Sequence, residues 1–272
     1  MKVKRIGIIG GMSFESTSHY YDRINRQVNK RAGGDTSADL ILRSVNFEEY
    51  RKLMKLNQWS EIAHRLSIEA LNLTLKDNCE YVAIATNTMH KVADYVVGPH
   101  EVFDSNGIWP QITSYESVPL VHIGDCVADE CKKRGFERVA IIGTKFTMTE
   151  DFMKNRLRQN GLEVADTFIP SEIDEIDRII FDELCHGIIK PESRETITRI
   201  LVRADSRDYE NEGTGFDAVI LGCTELENLM GKKMQYYISN SRHDHRYKLV
   251  NSTQAHINKI VDLCLEDEKE DK

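Results

Sequence analysis

The chain has 272 residues, 40% of them hydrophobic, enough to bury a substantial core and to divide into one or two compact units. Acidic residues outnumber basic ones, 44 to 36, for a formal charge of −8, and no stripe of Lys and Arg could track phosphates, which argues against a nucleic-acid partner. No apolar run approaches membrane-span length, so a cytoplasmic protein without a membrane partner is expected.

In chain order, the apolar run from Arg5 to Ile9 ends at Gly10-Gly11 and reads as a buried first strand. A helical pattern from Ser16 to Lys30 follows, closed by Gly33-Gly34. Further β-branched runs span Leu40 to Val45, Tyr81 to Ala85, Leu120 to Ile123, Arg138 to Ile142 and Ala218 to Leu221. Most are too continuously apolar to be half-exposed, so they are expected to be covered on both faces. Helical patterns lie between them, at Trp59 to Lys76, Thr149 to Asn160 and Ile173 to Ile188. Alternation of this kind implies crossover units and parallel sheets, the α/β class. Two stretches interrupt it: 98–117, with Pro99, Asn106-Gly107 and Pro110, expected as an inserted loop, and the polar run from Lys232 to Lys248. The charged tail from Glu266 to Lys272 is expected to fray.

The chain also resembles itself. RIGIIGGMSFES from Arg5 and RVAIIGTKFTMTEDF from Arg138 share a strand, a Gly turn, a small hydroxyl residue and a helix. YVAIATNTMHKV from Tyr81 and DAVILGCTELENL from Asp217 form a second pair in the same order. Aligned, Ala85 matches Gly222, Thr86 matches Cys223 and Asn87 matches Thr224. Each half therefore offers one candidate reactive residue at the C-terminal end of a strand, the edge where open α/β sheets bind ligands. Two pseudo-symmetric lobes with a shared cleft are expected, the N-terminal one from 1–117 plus 249–272 and the C-terminal one from 118–248.

Turns that run from a strand into a helix present free N–H groups suited to a carboxylate. Gly11, Met12 and Ser13, then Asn87 and Thr88, then Thr147, then Thr224 and Glu225 supply such ends, and the hydroxyl and amide side chains add donors. As single residues, Ser13, Asn87, Thr147 and Thr224 read equally well as helix caps. Cys223, at a helix start, is expected to have a lowered pKa and to act as a thiolate, although a Cys after a buried strand also reads as packing. Thr86 is a poor base unless a partner activates it. The other five cysteines, Cys79, Cys126, Cys131, Cys185 and Cys264, form no CxxC pair and are expected as reduced packing residues. Gly7, Gly10 and Gly11 do not make GxGxxG, so no dinucleotide is expected. His243-Asp244-His245 lacks a second half at ligand spacing, so no metal is expected there.

IGIIGGMS, ATNTMH and VILGCTE resemble the three signature segments of the aspartate/glutamate/hydantoin racemase superfamily, with support from GTKFTM and LVNSTQAHINKIV. The chain is most similar to the broad-specificity bacterial aspartate/glutamate racemases, which share GGMSxEST, TNTMHKVAD and IIFxEL. The resemblance implies an amino-acid racemase that needs no metal and no pyridoxal cofactor, acts on a small amino acid or dicarboxylate, and forms a homodimer. One group takes the α-proton from one face and a second returns a proton on the other. Both groups are cysteines in most of the family; here Thr86 and Cys223 hold the two positions, and the most similar branch also carries Thr. That unlike pair implies slow, direction-biased turnover. The N–H groups of Asn87, Thr88 and Thr224 would meet the substrate carboxylate, and Glu225 and His90 would orient their neighbours or serve as first-turn residues.

Several aspartate racemases grip the side-chain carboxylate with a Lys before the IIFDEL helix. This chain instead reads Asp174-Glu175-Ile176-Asp177 with only Arg178 basic. Arg43 and Arg51 read either as replacements or as solvated surface. The family usually has Asp where Asn251 stands. Two alternatives share the lobes and Cys223: a single-thiol decarboxylase or diacid isomerase of the same superfamily, and a catalytically weak amino-acid-binding protein.

Overall fold

The computed structural model describes residues 3–98, 118–230 and 248–266. The expected insertion beyond Gly98, the polar run before Lys248 with its His243-Asp244-His245, and the tail after Glu266 lie outside the described residues.

The strands are β1 (Ile6–Gly10), β2 (Leu40–Ser44), β3 (Tyr81–Ile84), β4 (Leu120–Val121), β5 (Arg138–Gly143), β6 (Glu163–Val164), β7 (Ala218–Gly222) and β8 (Lys248–Asn251). They form two parallel four-stranded sheets, ordered β2-β1-β3-β4 and β6-β5-β7-β8. The helices are α1 (Phe14–Ala32), α2 (Phe47–Lys55), α3 (Trp59–Leu71), α4 (Ala93–Val97), α5 (Ile123–Lys133), α6 (Lys145–Thr149), α7 (Asp151–Gln159), α8 (Pro170–Asp182), α9 (Pro191–Glu212), α10 (Leu226–Met230) and α11 (Ser252–Cys264). This is the α/β, two-lobed architecture expected from the alternation of strands and helices.

The repeat is stricter than the sequence pattern implies. Each sheet uses four consecutive strands in the same order, so Leu120–Val121 belongs to the first sheet and Lys248–Asn251 to the second. Strand membership thus departs from the expected division at 117/118 and 248/249, while α11 packs on α1 of the first half. The physical reason is that β4 and β8 each return beside the strand before them in sequence, β3 and β7. After these equivalent strands come α5 and α11, which pack against each other between the sheets. β6 and β8 have no strong β-branched signature, because a two-residue edge strand and a strand that opens on Lys248 have little apolar surface to pattern.

Alternate residues on the central strands serve two cores. Ile6 and Ile8 of β1, with Val139 and Ile141 of β5, enter a shared core with Tyr20 and Ile24 of α1 and Ile257 and Ile260 of α11. Ile9 faces the outer core of the first lobe with Leu66 and Ile84, while Ala140 and Ile142 face that of the second with Ile176 and Ile197. Both sheets are thus covered on both faces, which explains their continuously apolar strands. Asn251 caps α11 by accepting from Gln254 N at 3.0 Å, the task an Asp performs equally well, so the departure from the family's usual Asp leaves the local structure intact.

Within the shared core the Tyr20 hydroxyl lies 2.8 Å from His256 Nδ1, and His256 Nε2 lies 2.8 Å from the Val121 carbonyl. The carbonyl can only accept, so Nε2 carries the proton and Nδ1 accepts from Tyr20. Burial lowers His256 to about 3 and His90 to about 4. A histidine depressed on folding stabilises the native state fully above its ordinary value of about 6.5, and that stability is lost as pH falls toward the folded value. Stability measured by urea unfolding should therefore drop between pH 6.5 and 4, by up to about 1.4 kcal/mol per pH unit for each of these histidines. His256→Gln should be less stable at pH 7 but show a shallower decline; an unchanged slope would rule this origin out.

Candidate active site

The C-terminal ends of β1, β3, β5 and β7 converge on a cleft of ≈ 410 Å³, including its open mouth. Thr86, two residues beyond β3, lines it from the first lobe, and Cys223, immediately after β7, from the second. Met12, Ser13, Asn87, Thr88, Thr224 and Glu225 line it too. Two expected contributors stand behind it. The Gly11 N–H is already given to Thr17 Oγ1 at 2.7 Å, and at φ +91° a Cβ would lie 2.2 Å from the Val45 carbonyl, so Gly11 serves the turn. Thr147 is fully buried and meets Thr144 Oγ1 at 3.3 Å; Thr144 is the one that reaches the cleft, where it bonds Thr88 Oγ1 at 3.0 Å.

Glu225 is the electrostatic centre. Its Oε1 accepts from Ser13 Oγ of the opposite lobe at 2.6 Å. Its Oε2 accepts from Thr224 Oγ1 at 2.6 Å and from Cys223 Sγ at 3.0 Å. Ser13 Oγ accepts in turn from Ser16 N, so this hydroxyl caps α1 and bridges the lobes at once. Glu225 is 5% exposed, and such a carboxylate persists in a cleft because donors satisfy both oxygens.

This arrangement corrects the expectation for Cys223. Burial, with the charge of Glu225 and the neighbouring Cys185 thiol, pushes the Cys223 thiol well above the ordinary value instead of below it. Helix α10 begins only at Leu226, past Glu225, and its dipole does not offset a carboxylate 3.0 Å from the sulfur. Cys223 is a thiol that hands its proton toward Glu225. Cys185, expected as a packing residue, lines the cleft from the turn after α8. An IIFDELC pattern gives no periodic cue that its last residue turns inward.

Thr86 is held differently. Its N–H donates to the Ile84 carbonyl at 2.8 Å, and its own carbonyl meets His90 Nδ1 at 2.8 Å. Among the described residues no acidic or imidazole side chain bonds its hydroxyl. Asn87 Nδ2 donates to Ser252 Oγ at 3.1 Å, and Ser252 donates to the Leu221 carbonyl at 2.6 Å, which fixes the amide orientation. Among the described residues Asn87 Oδ1 has no hydrogen-bond partner, a buried acceptor available to a ligand's donor.

Beside the cleft lies an open anteroom of ≈ 800 Å³, including its mouth, which shares Met54 and Phe181 with it. Arg51 lines the anteroom, its guanidinium 4.9 Å from the Phe181 ring centre. Arg43 is engaged with Asp77 at 2.8 Å instead. The acidic run that reads as unfavourable to an anionic ligand is largely answered. Lys145 Nζ meets Asp174 at 2.6 Å, Arg178 meets Glu175 at 2.8 Å, and Asp177 accepts from Lys145 N at 2.6 Å. Among the described residues, no group of three His, Cys, Asp or Glu side chains could hold a metal ion, and no helix is long and apolar enough to cross a membrane.

Fold and cleft define a two-lobed α/β protein in which the equivalent strand end of each lobe faces one cleft. The chain belongs to the Asp/Glu/Hydantoin racemase family, whose sequence profile matches residues 103–260. Its structure is similar to that of a candidate Asp/Glu racemase from Yersinia pestis, with 33% identity, TM-score 0.76, and 97% of this chain and 100% of that one covered. An aspartate racemase homologue from Pyrococcus horikoshii is also 33% identical, with TM-score 0.69 and the same coverage. The aspartate racemase of Picrophilus torridus shares the fold at 16% identity, with TM-score 0.62 over 98% of this chain and 96% of that one.

Because Glu225 raises the Cys223 thiol, Glu225→Gln should move the pH midpoint for alkylation of Cys223 downward. Iodoacetamide labelling read by mass spectrometry of the Cys223 peptide checks this; an upward or absent shift would contradict the assigned contact.

Proposed function

We propose that the protein is a cofactor-independent amino-acid racemase of the aspartate/glutamate type, with Cys223 and Thr86 as its two proton-transfer groups. The observation that carries the reading is the hydrogen bond from the Cys223 thiol to Glu225, in a cleft whose other lobe contributes Thr86 at the equivalent strand end.

A thiol must lose its proton before it can take one from carbon. Glu225 Oε2 is the acceptor in place, and an arriving ammonium group offsets the negative charge that burial disfavours. The thiolate then removes the α-proton from one face of the substrate. The orphan acceptor Asn87 Oδ1 suits the ammonium, and the hydroxyls of Thr88 and Thr144 suit the α-carboxylate, whose charge grows as the proton leaves. Thr86 Oγ1 completes inversion by delivering a proton on the opposite face. It lacks an activating partner among the described residues, so deprotonation by Thr86 is the harder half and turnover is biased in direction. Arg51 stands one anteroom away and receives the side-chain carboxylate of an acidic substrate.

The test is α-proton exchange in deuterated water, followed by NMR with each enantiomer of aspartate and glutamate. Cys223→Ser should abolish exchange of one enantiomer, and Thr86→Ala should spare that exchange while blocking net racemisation. Binding without exchange of any of the four would overturn the assignment. Arg51→Ala should raise KM for aspartate and glutamate about 10-fold, the loss of one charged hydrogen bond, and change kcat less. An equal effect on an uncharged amino acid would remove Arg51 from the side-chain site.

A further inference from the structure

His90 touches the reactive turn without lining the cleft. It is 3% exposed, on the short turn Thr88–Val92 that follows Asn87. In a regular α-helix the His90 N–H would bond the carbonyl of residue 86; here it bonds Asn87 O at 3.0 Å, an i to i+3 closure. No backbone N–H among the described residues reaches the Thr86 carbonyl, and the His90 ring supplies a donor at 2.8 Å. The opposite ring nitrogen, Nε2, lies 3.2 Å from the N–H of Ile123, the first residue of α5. An amide N–H can only donate, so Nε2 is bare and Nδ1 carries the proton toward Thr86. The ring is wedged edge-on between those of His122 and His256, with ring centres 4.7 and 6.0 Å away, and feels the charges of Asp125 and Arg156. One side chain thus ties the peptide of Thr86 to the start of the helix between the two sheets.

We propose that His90 is a positioning residue for the proton transfer at Thr86: it clamps the Thr86 carbonyl to α5, fixes the peptide from which the hydroxyl hangs, and governs that face of the reaction alone. This rests on the reading of Thr86 as the second proton-transfer group. The ring nitrogen lies on the carbonyl and not on the hydroxyl, so His90 is not the base of Thr86. Its loss changes the rate of one half-reaction and leaves Cys223, on the other lobe, to work normally. A small displacement of a reacting group costs roughly 10- to 100-fold in rate.

The test compares His90→Leu, which removes both ring contacts, with His90→Asn, whose amide can donate from near the place of Nδ1. Thr86→Ala is the reference. For each variant one measures kcat and KM for racemisation in both directions, α-proton exchange of each enantiomer, and the ¹³C methyl signal of Thr86 by NMR. His90→Leu should lower kcat for racemisation at least about 10-fold with KM within about two-fold, spare exchange at the Cys223 face, and shift or split the Thr86 methyl signal. His90→Asn should recover most of the rate and the native signal. Equal slowing at both faces, or an unmoved Thr86 methyl, overturns the proposal. If the native protein exchanges no α-proton, the racemase reading fails, and the Thr86 methyl signal in the two His90 variants still decides whether His90 positions that turn. A His90→Leu chain that fails to fold leaves the decision to His90→Asn, where a native methyl signal with unequal loss at the two faces contradicts the clamp.

Discussion

A parallel sheet must be shielded from water on both of its faces, and here two such sheets share one of their covering layers. Helices α1, α5 and α11 fill the space between them, and alternate residues of β1 and β5 divide between this shared layer and an outer core in each lobe. The layout of the cleft follows from that sharing. With the central layer fixed, the C-terminal strand ends of both lobes open onto one cleft, and residues more than two hundred positions apart, such as Ser13 and Glu225, come within hydrogen-bonding distance.

The same layer explains what is legible in the sequence. β1, β3, β5 and β7 stand out because central strands are apolar on both sides, and the self-similarity of the turns after β3 and β7 is enough to pair Thr86 with Cys223. β6 and β8 do not, since edge strands of two and four residues carry little pattern. The sheet membership of β4 and β8 is hard to place for a related reason: both are edge strands, of two and four residues. At the site, the turn residues are legible as a class, but which hydroxyl faces the ligand is not. Thr144 and Thr147 are three residues apart, and only packing against Gly143 and Gly222 turns Thr147 inward. Cys185 and Arg51 lie on helical segments whose inward register depends on how α8 and α2 meet the cleft, a tertiary matter. The sign of the Cys223 shift eludes a helix-dipole argument because that argument counts one favourable term, whereas burial and a carboxylate two residues onward in sequence outweigh it.

Glu225 also explains why the cleft tolerates a buried negative charge. A lone carboxylate there would be costly, yet this one accepts from two lobes and three side chains, so its position encodes the closed arrangement of the halves. A second tie runs between the lobes at Arg23 and Glu227, 2.6 Å apart, and a third joins Thr88 to Thr144. The turns after β3 and β7 are thus tied across the cleft, at Thr88 and at Glu225, as well as by the strands that carry them.

Each sheet comes from one run of chain, and the helix after its last strand packs on the other half, α5 on α7 and α11 on α1. Each stretch therefore carries a complete sheet, one turn at the cleft, with Thr86 or Cys223, and half of the contact that joins it to the other. Chemistry can diverge on one side without renegotiating the scaffold on the other. Exchanging a hydroxyl for a thiol after β3 alters a single turn, while the sheets, the central helices and the Glu225 bridge keep their places. The architecture is in this sense a pair of interlocked halves, joined by exchanged helices but with separate turns at the cleft, and those turns carry the mixed threonine and cysteine pair.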